Sequence, residues 1–450
     1  MKTHETRKSV MSIILAIVLA AVLGFCFNPL MTQAKQSKQS GQSKQTKQDK
    51  QPKQSEQTTE EDEDIYSADQ INYQTVDHLL NQNLDNKIVI LHTTDVHGAL
   101  IKLANVASLK KELEKKGADV VLIDGGDFSY AKEHKEKPEA PKEYEYLNDT
   151  KGLGAITVMN AMGYDYATIG NHEYEFGASQ LKDNLGYANF QVMSANIYSN
   201  DSTRADGLAY APNFVYQNKD NPNVKIGFFG LTAIETRNQK GKLEGTTIVG
   251  ESEVSDKNPN PMFKIAKEQV EALKNKKVDT IIAVTHLGVK LKESRNKYLE
   301  NNRSIDMYNY ISKAYENSKN PIDLILDGHS HNSLTSGRQG EPIMSGGIRM
   351  DGLGVVIIDN NDKAKPIKES FLIKLDALEK GIKADPEITT LVQMISSNKI
   401  DLKGFTKAQH EAFLRGETVP TLPDNAEKVA KTPSSNNNRD KGRNTKNRNR

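Results

Sequence analysis

The sequence predicts an α/β protein in which sheet is packed between helices. Short β-branched runs alternate with amphipathic stretches, and the runs are continuously apolar, as strands covered on both faces are. Five of the ten histidines also sit at, or within three residues of, a predicted strand end or a glycine turn. That is the edge at which open α/β sheets gather their ligands.

Residues 88–91, 120–123, 224–231, 281–284, 322–326 and 355–358 read as buried strands, and 166–169 is strand-like. Phe263, Ala266, Val270 and Leu273 recur at helical spacing, as do Ile388, Leu391, Val392 and Ile395. These elements place one domain at residues 86–376, followed by a linker or closing helix over 377–420.

The ends of the chain have a different composition. Lys2, Arg7 and Lys8 precede an apolar run over 10–27 and the small-residue site Thr32-Gln33-Ala34, so residues 1–34 read as a signal peptide cleaved after Ala34. The same run is at the lower edge of what spans a bilayer, and an uncleaved anchor is the alternative. Either form places the protein outside the cytoplasm, secreted or at the cell surface. Cys26, the only cysteine, lies in that run, so the mature chain would have no disulfide.

Residues 35–85 form a low-complexity polar spacer of Lys-Gln-Ser and Lys-Gln-Thr units that turns acidic at 60–64. Such a segment buries too little apolar surface to offset its ordering entropy. Residues 421–450 read as a disordered basic tail, either solubilising or in contact with anionic polymer of the cell envelope or with nucleic acid. The net charge of +1 shows no general preference for nucleic acid or membrane, and no specific nucleic-acid binding is expected.

Five short motifs carry the chemistry. Asp95-Val96-His97-Gly98 follows the first strand, and in extended backbone residues two apart point to the same side, so Asp95 and His97 can reach one point. In Asp124-Gly125-Gly126-Asp127 two glycines let the chain turn sharply and present Asp127, a carboxylate able to bridge two ions. Gly170-Asn171-His172-Glu173 offers an amide oxygen and then an imidazole. His286 follows the strand at 281–284, and Gly328-His329-Ser330-His331 repeats the same-side spacing after 322–326. A lone Asp-x-His is a common tripeptide, and a histidine after a strand is usually structural. Five such elements in order, each at the carboxyl end of a predicted strand, point to a shared metal site. His92 reads as a core histidine; His4, His78, His134 and His410 are assigned no role.

This order, Asp-x-His, Gly-Asp, Gly-Asn-His-Glu, His and Gly-His-x-His, resembles that of the calcineurin-like metallophosphoesterases. The words Ile90-Leu91-His92-Thr93-Thr94, Gly163-Tyr164-Asp165 and Ser194-Ala195-Asn196 look like the branch of 5'-nucleotidases, UDP-sugar hydrolases and 2',3'-cyclic-nucleotide phosphodiesterases. The resemblance implies a four-layer α-β-β-α sandwich over residues 86–376. It also implies two divalent ions, one held by Asp95, His97 and His331 and the other by Asn171, His286 and His329, with Asp127 bridging. Nitrogen and oxygen donors suit zinc, manganese, iron or cobalt.

Water activated by such a pair would attack phosphorus in line. His172, which the family pattern leaves off the metals, would protonate the leaving oxygen or stabilise the transition state. In that family an aspartate three residues on orients this histidine; here Glu175 stands in its place, either as His172's partner or as a surface or capping glutamate. Asn196 reads equally as a phosphate-positioning residue or a structural asparagine. The family's second, nucleotide-gripping domain has no counterpart among these motifs, and Asp385-Pro386-Glu387-Ile388 looks like the linker that leads to it. The expected partner is a small phosphate ester, first of all a nucleotide. The alternatives are another extracellular phosphate ester or a weakly active surface-binding module.

Overall fold

Residues 71–130, 146–234, 241–250, 260–289, 302–397, 402 and 407–415 are described by the computed structural model. The export signal, the spacer up to residue 70, His134 and the basic tail lie outside the described residues.

Each of the six apolar runs becomes a strand, and the strands gather into two six-stranded sheets. In spatial order the first holds Ile367–Lys374, Gly352–Asp359, Lys87–Thr93, Asp119–Asp124, Tyr166–Thr168 and Gln191–Met193. The second holds Ser333–Leu334, Ile343–Gly346, Leu324–Leu326, Thr280–His286, Lys225–Thr232 and Asn213–Gln217. Lys87–Thr93, Asp119–Asp124, Tyr166–Thr168 and Gln191–Met193 run parallel. So do Lys225–Thr232, Thr280–His286, Leu324–Leu326 and Ile343–Gly346. The outer strands Ile367–Lys374 and Asn213–Gln217 pair antiparallel.

The two-residue period of a strand sorts the apolar side chains into layers. Ile88 and Ile90 face the second sheet, in a cluster with Val121, Ile123, Phe228, Ile282, Val284 and Leu326. Val89 and Leu91 point the other way, into helices that include Leu103–Lys115, Leu153–Met162 and Pro386–Ser396. Ile281 and Ala283 do the same on the far side of the second sheet, under Pro261–Asn275 and Ser304–Ala314. Helix, sheet, sheet and helix are the four layers expected. Both predicted helices form with proper starts: Asn260 accepts from the Met262 amide ahead of Pro261, and Asp385 accepts from the amides of Glu387 and Ile388 ahead of Pro386.

Two boundaries differ from the reading of the sequence. The spacer expected over 35–85 ends earlier, because residues 71–85 belong to the packed body. Asn72 and Gln74 exchange backbone hydrogen bonds with Leu372, and Val76, Leu79 and Leu84 are buried against the first sheet's outer core. Composition hid this: three apolar side chains in a polar segment suffice once an edge strand is there to receive them. Of the two readings of the segment after 376, the closing helix is the one present. Ile388, Val392 and Ile395 are buried in the first helical layer, so Asp385-Pro386 opens a docked helix rather than a linker. His410, assigned no role, is buried with its Nε2 2.9 Å from Thr157 Oγ1, tying helix Lys407–Leu414 to Leu153–Met162. Among the described residues no helix is long and apolar enough to cross a membrane.

Leu79→Ala should destabilise the protein by about 2–5 kcal/mol in urea unfolding, the usual cost of truncating a fully buried leucine. A change below about 0.5 kcal/mol would show that residues 71–85 are not part of the core.

Candidate metal centre

The carboxyl ends of the parallel strands from both sheets meet at one place. Lys87–Thr93 delivers Asp95 and His97, Asp119–Asp124 delivers Asp127, and Tyr166–Thr168 delivers Asn171. From the second sheet come His286, the last residue of its strand, and His329 and His331 just beyond Leu324–Leu326. All seven candidate ligands therefore converge. Ligand atoms of Asp95, His97, Asp127 and His331 lie within 4.8 Å of one another, and so do those of Asp127, His286 and His329. Asp127 belongs to both groups. Asn171 Oδ1 lies 2.8 Å from His329 Nδ1 and 3.3 Å from His286 Nε2.

Backbone geometry imposes this convergence. Asp95, His97, Asp127, His329 and His331 all have φ between 43° and 80°, the left-handed region that non-glycine residues seldom occupy. The surrounding turns hold them there: the Asp95 amide donates to Gly126 O at 2.9 Å, the His97 amide to Asp127 O at 3.2 Å, and the Arg349 amide to Asp95 O at 2.9 Å. Strain concentrated in this way marks a site that the fold over-determines. Gly126, with φ of +97°, and Gly170 allow the closest approach. A Cβ on Gly170 would fall 2.2 Å from Asp127 Oδ1.

Second partners aim the side chains. His97 Nδ1 donates to Tyr130 O at 3.0 Å and His286 Nδ1 to Gly125 O at 2.7 Å, which turns both Nε2 atoms inward. Glu173, buried, accepts from the amides of Asp127, Gly170 and Ser129 and from Ser129 Oγ. Asp327 is its counterpart in the second sheet, accepting from Thr285 Oγ1, Ser304 Oγ and two amides after His286. Neither carboxylate carries a signal of this role in the sequence, although Glu173 stands inside the Gly170-Asn171-His172-Glu173 motif. Nothing in the sequence distinguished Tyr130, whose ring stacks on His172 with centroids 5.5 Å apart and planes 12° from parallel.

His172 itself hydrogen-bonds through Nδ1 to Glu175 Oε1 at 2.8 Å, so of the two readings of Glu175 the geometry has the partner. Asn196 is held structurally: its amide group donates to the carbonyls of Thr232 and Val249, and its oxygen accepts from the Thr232 amide. His92 is fully buried, as expected of a core histidine.

The electrostatics fit a cation. Asp127 Oδ2 is buried 3.1 Å from His286 Nε2 and 3.5 Å from His97 Nε2. His97 and His331 bring their Nε2 atoms within 3.3 Å, so that both imidazoles converge on one point beside Asp95 and Asp127. Burial opposes charge on His286, but the carboxylates of Asp127, Asp95 and Glu173 together outweigh it and raise the imidazole to about 10. Burial also opposes charge on Asp127, and His286 and His172 overcome it, holding the carboxyl well below its usual range. His97, by contrast, is lowered to about 4 by burial. A proton on His286 thus balances part of the negative charge that divalent ions would balance more fully.

A family model for calcineurin-like phosphoesterase matches residues 88–333, more than half of the chain. The chain belongs to the calcineurin-like phosphoesterases. Among relatives of this phosphoesterase, a 5'-nucleotidase of Vibrio vulnificus is 27% identical over 255 residues, 54% of this chain and 40% of the relative. A trifunctional nucleotide phosphoesterase, YfkN of Bacillus subtilis, is 25% identical over 266 residues, 55% of this chain and 17% of the relative. The chain thus spans about two-fifths or less of the length of these curated relatives. A crystal structure of the calcineurin-like phosphoesterase YfkN from B. subtilis superposes with a TM-score of 0.51 at 22% identity, covering 69% of this chain and 97% of that one. A putative 5'-nucleotidase from Staphylococcus aureus gives 0.50 at 22%, covering 70% and 59%. At these identities the structural likeness shows the fold of a phosphoesterase.

Two consequences can be measured. Gly170→Ala should weaken metal binding by at least about tenfold, whereas Gly340→Ala, which meets nothing within 4 Å, should not. Equal affinities in titrations of the two variants would refute the crowding argument. His92 is lowered from 6.5 to about 4, chiefly by burial. Between those values the unfolded chain binds the proton that the folded one refuses, so stability is full above pH 6.5 and falls as pH drops towards 4, by up to about 3 kcal/mol. His92→Gln should flatten this part of a stability-against-pH curve; an unchanged slope would count against it.

Proposed function

We propose that this chain is an exported, metal-dependent phosphoesterase that hydrolyses nucleotides. The observation that carries the reading is Asp127: it is shared by two groups of ligand-type side chains, and its buried Oδ2 faces the imidazoles of His97 and His286. Asp95, His97 and His331 would hold one divalent cation with Asp127, and Asn171, His286 and His329 would hold a second. The donor set suits zinc, manganese, iron or cobalt. Bound there, such ions lower the pKa of water and neutralise charge on phosphoryl oxygens.

The chain's own residues supply the rest. The imidazoles and carboxylates would fix the positions of the ions, and the buried floor excludes bulk water from beneath the phosphate group. His172, its Nδ1 occupied by Glu175, donates a proton from Nε2 to the leaving oxygen, which takes the electron pair of the breaking phosphorus–oxygen bond. A nucleotide substrate is supported by the names of the relatives, 5'-nucleotidase and nucleotide phosphoesterase. In this reading residues 86–376, extended by the packed segment 71–85 and the closing helix, form the catalytic body. Residues 1–34 direct export, and the basic tail over 421–450 either solubilises the chain or contacts the anionic envelope.

The test is hydrolysis of AMP, a 2',3'-cyclic nucleotide and p-nitrophenyl phosphate by chelator-treated protein given back zinc or manganese. Activity should return with metal, vanish in Asp127→Asn, and fall at least about a hundredfold on AMP in His172→Ala. Folded, metal-loaded protein inert on all three would sink the proposal, and preference for p-nitrophenyl phosphate over both nucleotides would remove its substrate assignment.

A further inference from the structure

Glu175 has two oxygens, and each meets a partner among the described residues. Oε1 accepts from His172 Nδ1 at 2.8 Å, and Oε2 pairs with Lys242 Nζ. The lysine comes from a turn distant in sequence, bracketed by Gly241 and Gly245 with φ of +79° and +72°. Its own carbonyl accepts from the Ala178 amide at 2.7 Å, which docks the turn onto the start of helix Ala178–Leu185, directly after the segment His172–Phe176. Lys242 is therefore held to the histidine-bearing segment at both main chain and side chain.

The extra methylene of glutamate makes this second contact consequential. A glutamate carboxylate bound at one oxygen still turns about its last rotatable bond, and with it turns the direction of the hydrogen bond offered to His172. A cation on the other oxygen removes that freedom. The His172 ring already has its plane set by Tyr130 stacked on it and by the edge of His97, with centroids 5.3 Å apart. The Glu175 carboxylate, accepting from Nδ1, acts on the orientation within that plane and on which nitrogen is protonated. Side-chain exposures of 11% for His172, 15% for Glu175 and 39% for Lys242 grade outward from the site. A partly exposed pair of this kind adds little to stability, so its effect falls on orientation.

We infer that Lys242 is a positioning residue: through Glu175 it holds His172 in the orientation and tautomer that deliver a proton to the leaving oxygen. The inference rests on the phosphoesterase reading above and adds a third member, from a separate turn, to the pair of His172 and Glu175.

The experiment compares full-length, zinc-loaded wild type with Lys242→Met and Lys242→Arg on two esters. AMP leaves as an alkoxide that needs a proton; p-nitrophenyl phosphate leaves as a phenolate that does not. Lys242→Met should lower kcat on AMP by roughly tenfold and on p-nitrophenyl phosphate by less than about twofold, with Lys242→Arg restoring the wild-type ratio. In parallel, the Nδ1–H resonance of His172, identified by its absence in His172→Gln, is followed in protein labelled with 15N-histidine. It should be lost or broadened in Lys242→Met and retained in Lys242→Arg. An active wild type whose ratio between the two esters is unchanged in Lys242→Met overturns the inference. If the wild type cleaves neither ester, the phosphoesterase reading fails by itself and the resonance decides: persistence in Lys242→Met overturns the positioning role, and loss there with retention in Lys242→Arg supports it.

Discussion

The Asp127 carboxylate is the constraint on which the centre depends. Its amide donates to Glu173, its carbonyl accepts from His97, its Oδ1 accepts from the His172 amide at 2.8 Å, and its Oδ2 faces His97 and His286. One residue thereby fixes three turns of the first sheet and meets an imidazole of the second. The rest of the site is arranged so that this buried negative charge has somewhere to go. Hydrogen bonds satisfy one oxygen, and the other is left to positive charge. Replacing it by a neutral group would leave His286 without the partner that sustains its proton, so the metal-free and metal-loaded forms both rely on it.

Buried acid is distributed in two shells of different character. Asp95 and Asp127 lie among imidazoles and are kept ionised. Asp124 sits one layer deeper, bonded to Thr93 Oγ1 and the Gly126 amide, yet burial drives its carboxyl well above the ordinary range. Glu173 and Asp327 are raised for the same reason. Carboxyl groups flanked by the site's imidazoles stay ionised, and those that the imidazoles do not flank are left to the cost of burial. Asp124 and Asp127, three positions apart, are thus separated by the imidazoles that only the second of them faces.

Much of this was legible before any coordinates. Continuous apolar runs located six strands because burial on both faces leaves little room for polar alternation, and the histidines at their ends located the centre. The seven candidate ligands could be named together because each stands at a strand terminus, where a short motif is enough to aim a side chain. What stayed hidden depended on partners remote in sequence. Residues 71–85 look like polar spacer until the edge strand Ile367–Lys374 gives Val76 and Leu79 a surface. Helices Leu103–Lys115 and Leu153–Met162 were passed over, the second because it is apolar all round and so shows no stripe. Lys242 carried no signal at all, since a lysine between two glycines acquires meaning only from the glutamate it meets.

The meeting of two sheets at the centre has a mechanical side. His329 and Asp95 lie 234 residues apart along the chain, yet the His329 amide donates to the Asp95 carboxylate at 3.0 Å. Any ion seated among residues from both sheets would act as a non-covalent cross-link closing a very long loop, the kind of tie that most restricts an unfolded chain. Global unfolding would then have to break that tie or wait for the ion to leave. Resistance to proteolysis would follow the metal supply of the surroundings, through mass action on the folded state alone.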